Sequence, residues 1–195
     1  MPPPSSLCVF AAASRRCDPI YFDAARALGR AAAQAGMALY TGGGSTGLMG
    51  AVADGAIAAG GKSYGILPRF MDTIEFGHRG LTELILVESM DERLVRMLTV
   101  ADAYAALPGG CGTLEEVLFV LTRKRLGLCS APLILVNIRG YFDPLIAMLR
   151  RTIDEQFMDA RHAGMWAVVD SVDEVIPMIH AAPTWNTAAA AFAVP

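Results

Sequence analysis

Lysine is nearly missing from this chain of 195 residues: Lys62 and Lys124 are its only examples. Any chemistry that needs a Schiff-base amine therefore has few places to go. The cysteines (Cys8, Cys17, Cys111, Cys129) form no C-x-x-C pair, and the histidines at 78, 162 and 180 stand at no ligand spacing to them. Neither a structural zinc nor a disulfide framework is supported, and no metal is expected. Long apolar runs are also missing. Although 54% of the residues are hydrophobic and mean hydropathy is +0.42, charge, Gly or Pro cuts every stretch before the ~18 residues of a membrane span. Excess charge of one sign is absent too: 16 basic against 19 acidic residues leave a net −3, so neither nucleic acid nor an anionic membrane is an expected partner. The apolar run Leu7 to Ala13 is followed, not preceded, by Arg15-Arg16, the reverse of a signal peptide, and a cytoplasmic location is the default expectation. With no internal repeat and no linker, the length fits one domain over 1–195, with a core at about 7–181. The tail 183–195 is expected to trail off or pack on a partner.

What is present is an alternation of short apolar runs with longer segments of helical period. Strands are predicted at 7–13, 37–41, 62–67, 83–88, 103–107, 132–138 and 166–169; helices at 19–35, 46–59, 90–100, 113–127, 141–156 and 171–181. Repeated βα units of this kind specify an α/β fold, a Rossmann-like doubly wound parallel sheet of about seven strands with helices on both faces. Residues 68–82 form the longest loop, after a strand's C-terminal end, which is the active side of such a sheet.

Two glycine turns fall on that edge. The first, Gly42-Gly43-Gly44-Ser45-Thr46-Gly47-Leu48-Met49-Gly50, runs from a strand into a helix. Glycine lets the backbone approach an anion, and the helix start behind it offers free N–H groups. A phosphate site is the natural reading, a structural tight turn the plainer one. The G-x-G-x-x-G spacing also fits dinucleotides, but Lys62 to Arg69 holds no acidic residue for a ribose, and no lysine follows to make a Walker loop. The second turn, Pro108-Gly109-Gly110-Cys111-Gly112-Thr113-Leu114-Glu115-Glu116, again joins strand to helix. Glu116 has a structural reading, because Thr113-x-x-Glu116 fits a capping box, and a catalytic one. Ahead of it, Met90-Asp91-Glu92-Arg93-Leu94-Val95-Arg96 places Arg93 and Arg96 on one helical face, with Leu94, Met97 and Leu98 toward the core. That pair is either a solvated basic stripe or a source of a ligand-binding arginine.

These residues closely resemble the Lonely Guy (LOG) family, also named for lysine decarboxylation, through GGGxxGLMG at Gly42 to Gly50 and PGGxGTxxE at Pro108 to Glu116. The likeness spans about Leu7 to Ile179 and includes Met90 with Arg93, Ala101-Asp102-Ala103 and Gly140-Tyr141-Phe142. It implies hydrolysis of cytokinin-type nucleoside 5′-monophosphates without a cofactor, Arg93 and Glu116 as the catalytic pair, and a homodimer. Substrate-binding positions implied are Ser14, Gly43, Gly44, Ser45, Thr46, Gly47, Met90, Pro108, Gly109, Gly110, Gly112 and Thr113. Three departures stand out: Ala11-Ala12-Ala13-Ser14 for a common C-G-S-S, Leu94 for a lysine, and Thr122-Arg123-Lys124-Arg125-Leu126-Gly127 for T-W-x-Q-L-G. The run Arg123 to Arg125 is read as complementing the end of its helix. The rival function is a non-catalytic carrier of a nucleotide-like or molybdopterin phosphate ligand.

Overall fold

A computed structural model describes residues 3–72, 76–185 and 187–193. Seven short runs form one sheet: β1 (Ser6–Phe10), β2 (Ala38–Thr41), β3 (Ser63–Pro68), β4 (Glu83–Val87), β5 (Ala103–Ala106), β6 (Leu133–Val136) and β7 (Ala167–Val169). Their order is β4-β3-β2-β1-β5-β6-β7, with every pairing parallel. The helices are α1 (Pro19–Gln34), α2 (Gly47–Ala58), α3 (Met90–Thr99), α4 (Cys111–Arg125), α5 (Asp143–Asp154) and α6 (Val175–Ala181). Asp18 caps α1 by accepting from the Ile20 N–H, with Pro19 at the first position, and Gly36 ends it at φ +73°.

Side chains alternate along the central strands, so β1, β5 and β6 each feed two cores. Leu7, Val9, Ile134 and Val136 pack with α1, α2 and α6, while Cys8, Phe10, Leu133 and Leu135 pack with α3, α4 and α5. This double burial explains why the strands read as continuous apolar runs. The chain winds from β1 outward to β4 and then crosses to β5 on the other side of β1, making the C-terminal ends of β1 and β5 a topological switch point. The crevice there is where such sheets hold ligands.

Three sequence expectations need correction here. The first strand stops at Phe10, because the Ala12 and Ala13 carbonyls turn away to bond α2. The last predicted helix is split into a 3₁₀ turn, Val172–Glu174, and α6. Nor do the described residues of the tail trail off: Trp185 donates its indole N–H to Lys124 O at 2.6 Å, Ala189–Phe192 forms a 3₁₀ turn, and Phe192 is buried. It packs on its own chain.

Candidate active site

Arg93 reaches the C-terminal edge of the sheet, at Gly42 just after β2, because of how α3 begins. Ser89 accepts from the Glu92 N–H at 3.1 Å, and the Glu92 carboxylate accepts from the Glu88 N–H at 2.8 Å, fixing the helix start at the end of β4. The apolar stripe of α3 then turns Leu94 and Met97 inward and takes Arg93 with them, while Arg96 stays exposed. Arg93 is only 7% exposed. It donates to Gly42 O at 3.3 Å, and its guanidinium lies so close to the glycine that a Cβ there would fall 1.9 Å from Nη2. Its Nε has no partner among the described residues. The two arginines predicted to share a face are thus separated by burial.

Glu116 is 8% exposed, on the inner side of α4. It lines a narrow apolar crevice with Phe10, Leu94, Met97, Leu98, Phe119 and Val120. The expected capping box at Thr113 is overturned, because the N-cap of α4 is Gly110 and Thr113 lies inside the first turn. Glu116 therefore faces the core from beyond the helix start, and capping does not account for it. Below it, burial pushes the Cys8 thiol well up; Glu116 adds to the rise and Arg93 opposes it.

The glycine turns divide the work unequally. In the first, the N–H groups of Leu48 and Met49 both donate to Ala12 O, at 2.8 and 3.2 Å, and Thr46 Oγ1 donates to Ala13 O at 3.0 Å. The expectation of free donors behind this turn fails at those positions. Gly47, at φ +64°, sits where a Cβ would lie 2.4 Å from the Ala13 carbonyl carbon. Backbone groups of the Ala11-Ala12-Ala13 loop make these contacts, which explains why small side chains suffice there. On its other side, Ser45 N–H donates to Phe76 O and His78 N–H to Gly43 O, at 3.1 and 2.9 Å. The second turn is open: Gly110, Cys111 and Gly112 are exposed, their N–H groups find no acceptor among the described residues, and a Cβ on either glycine would meet nothing within 4 Å. Pro108, Gly109 and Thr113 are buried just beneath.

Ser14 lies on the rim with its hydroxyl accepting from the Arg16 N–H at 3.3 Å, and Met90 is half-buried against Arg93. Two contributors went unremarked in the sequence as site residues. His78 Nδ1 accepts from the Gly80 N–H, which leaves Nε2 as the donor to Asp54 at 3.0 Å and ties the 76–78 segment to α2. Tyr141 donates its phenol proton to Gly109 O at 2.6 Å. The placement of the 68–82 loop on the active side was the available signal for the first, and the Gly140-Tyr141-Phe142 triplet for the second.

Both lysines lie toward the opposite edge of the sheet. Lys62 precedes β3, and Lys124, buried near the end of α4, donates to Ala131 O at 2.6 Å. A pyridoxal phosphate site does not fit these residues. The charged run that holds Lys124 does more than complement its helix, since Arg125 donates to Ala193 O in the tail. Among the described residues no group of three His, Cys, Asp or Glu could hold a metal, and no helix is long and apolar enough to cross a membrane.

The chain is similar to several known proteins. A family model described as "Possible lysine decarboxylase" matches residues 49–179. The cytokinin riboside 5′-monophosphate phosphoribohydrolase of Rhodococcoides fascians is 36% identical over 179 residues, 91% of this chain and 90% of that one. The enzyme of that name (LOG) from Oryza sativa subsp. japonica is 34% identical over 187 residues, covering 92% of this chain and 77% of its own. Among solved structures, the molybdenum cofactor carrier protein of Chlamydomonas reinhardtii superposes with a TM-score of 0.70 at 23% identity, over 89% of this chain and 94% of that one, a likeness of fold. The chain belongs to the possible lysine decarboxylase family, the one that includes these LOG phosphoribohydrolases.

Proposed function

We propose that this protein hydrolyses the N-glycosidic bond of an adenosine 5′-monophosphate, N6-modified in the manner of a cytokinin, and releases the base and ribose 5-phosphate. Water is the second substrate: its oxygen ends on C1′ and a proton on the departing base. The observation that carries the reading is the burial of Arg93, against the Gly42 carbonyl, and of Glu116 on the inner side of α4, beside an α4 start whose N–H groups face open space. The names of the relatives support it.

A bond of this kind breaks through an oxocarbenium-like sugar. Glu116 stabilises that charge or activates the water, and Arg93 orients Glu116 and offers a planar donor fork to ribose hydroxyls or phosphate. The 5′-phosphate sits at Gly110 to Thr113, where unpaired donors and the positive end of a long helix converge. Gly42 and Met90 hold Arg93, the turn Gly43 to Gly47 anchors the neighbouring loops beside the substrate, and Ser14 stands at the rim.

The active form is a homodimer joined through α3 and α4, whose Val95 and Leu118 are exposed apolar side chains. We place the activity in the cytoplasm, where nucleoside monophosphates are made and used.

The deciding experiment is incubation with AMP, N6-isopentenyl-AMP and the matching nucleosides, following free base and ribose 5-phosphate by chromatography. Base release from the 5′-monophosphates at least about a hundredfold faster than from nucleosides is expected from a few charge-assisted hydrogen bonds to phosphate. A nucleotide recovered intact after long incubation would instead point to the carrier function.

A further inference from the structure

We infer that Tyr141 is a positioning residue for the 5′-phosphate, acting through the peptide unit that links Gly109 to Gly110. The inference rests on the phosphate seat proposed above.

The Tyr141 phenol donates to Gly109 O at 2.6 Å. That carbonyl belongs to the same planar unit as the Gly110 N–H, and the two point in opposite directions. Fixing the oxygen against Tyr141 therefore aims the N–H away from it, on the exposed side of a turn where a Cβ at Gly110 would meet nothing within 4 Å. Accepting a bond at the oxygen also polarises the unit and strengthens the N–H as a donor. Gly109 itself cannot shift freely, since a Cβ there would lie 2.1 Å from Thr113 Oγ1.

The loop that presents Tyr141 is held on several sides. Asn137 accepts from the Phe142 N–H at 2.7 Å and donates to Asp143 at 2.8 Å, while Arg139 donates to Asp18 at 2.9 Å across to the β1–α1 loop. Arg139 and Gly140 take φ of +56° and +71°, a left-handed pair that a non-glycine residue seldom enters. The result is a tyrosine 41% exposed, its ring edge-on to Tyr21 and Phe142, with its hydroxyl spent on one glycine carbonyl. Core packing gains little from so exposed a ring, whereas the orientation of one peptide at the mouth of the site depends on its hydroxyl.

Tyr141→Phe keeps the ring contacts and deletes only that bond. Calorimetric titration of the full chain with inorganic phosphate, KM and kcat on AMP, and the thermal midpoint would be measured side by side. Loss of one such hydrogen bond should weaken phosphate about three- to tenfold and raise KM for AMP by the same factor. The expected change in kcat is smaller than that in KM, and the midpoint should hold. Wild-type protein that binds phosphate while Tyr141→Phe binds it equally well would overturn the positioning role and leave the phosphate seat standing. A lowered midpoint with unchanged phosphate affinity would make Tyr141 structural, and that also overturns it. Wild-type protein that ignores phosphate and cleaves adenosine as readily as AMP would overturn the seat itself and the inference with it.

Discussion

Arg93 and Glu116 are charged side chains withdrawn from water, a placement that costs several kcal/mol unless partners or function offset it. Glu116→Gln preserves shape, and because the capping box is not at Thr113 it removes no helix cap. Base release from AMP should fall at least about a hundredfold, with the melting temperature kept; turnover at the wild-type rate in a folded variant would remove Glu116 from the chemistry. Arg93→Lys retains charge but loses the flat fork that rests on Gly42, so kcat/KM should drop about tenfold or more. Exposed Arg96 gives the control: if Arg96→Ala is the more damaging change in the same assay, the wrong arginine has been placed in the site. Sequence spacing could not separate these two, because a shared helical face says nothing of the glycine that lets one guanidinium sink.

At the scale of elements, the two glycine turns look alike in sequence and differ in what their N–H groups meet. Gly47→Ala forces a Cβ onto the Ala13 backbone at a positive φ and should cost about 1 kcal/mol or more of stability, read as a lower denaturation midpoint. Gly110→Asp, in open space, should leave the midpoint unchanged yet abolish AMP cleavage by placing a like charge in the phosphate seat. Equal losses of stability in the two variants would refute this division. The expected capping box failed for a related reason: Thr113-x-x-Glu116 fits the pattern, and only the early start of α4, with Gly110 as its N-cap, shows that Thr113 is not the cap. Helix starts follow from backbone partners that local sequence does not display.

Across the whole molecule, the strands were legible because a parallel sheet covered on both faces leaves runs such as Leu133-Ile134-Leu135-Val136 without polar interruption. The docking of the tail was not, since it depends on distant groups. His162, wholly buried, packs on Trp185 and Phe192 at ring distances of 6.3 and 5.2 Å, and Arg161 lies over Phe192. Burial, then Arg125, hold the His162 imidazole below the usual histidine value, with Arg161 in the same sense and Asp159 opposing. The folded form favours the neutral ring, so the unfolded chain takes up the proton first as pH falls. His162 thus contributes fully above about pH 6.5, and its contribution is lost as pH falls through the lower folded value. Thermal midpoints should decline from pH 7 toward pH 5, and less steeply in His162→Leu; parallel curves would deny the histidine this role. The unequal glycine turns also bear on how this scaffold can change. A turn whose donors are spent on its own chain is bound to the fold and tolerates little variation. One whose donors face solvent can be rewritten at Cys111 and its neighbours without unfolding anything, so a new anion-bearing ligand could be acquired by altering three residues while the architecture beneath is inherited intact.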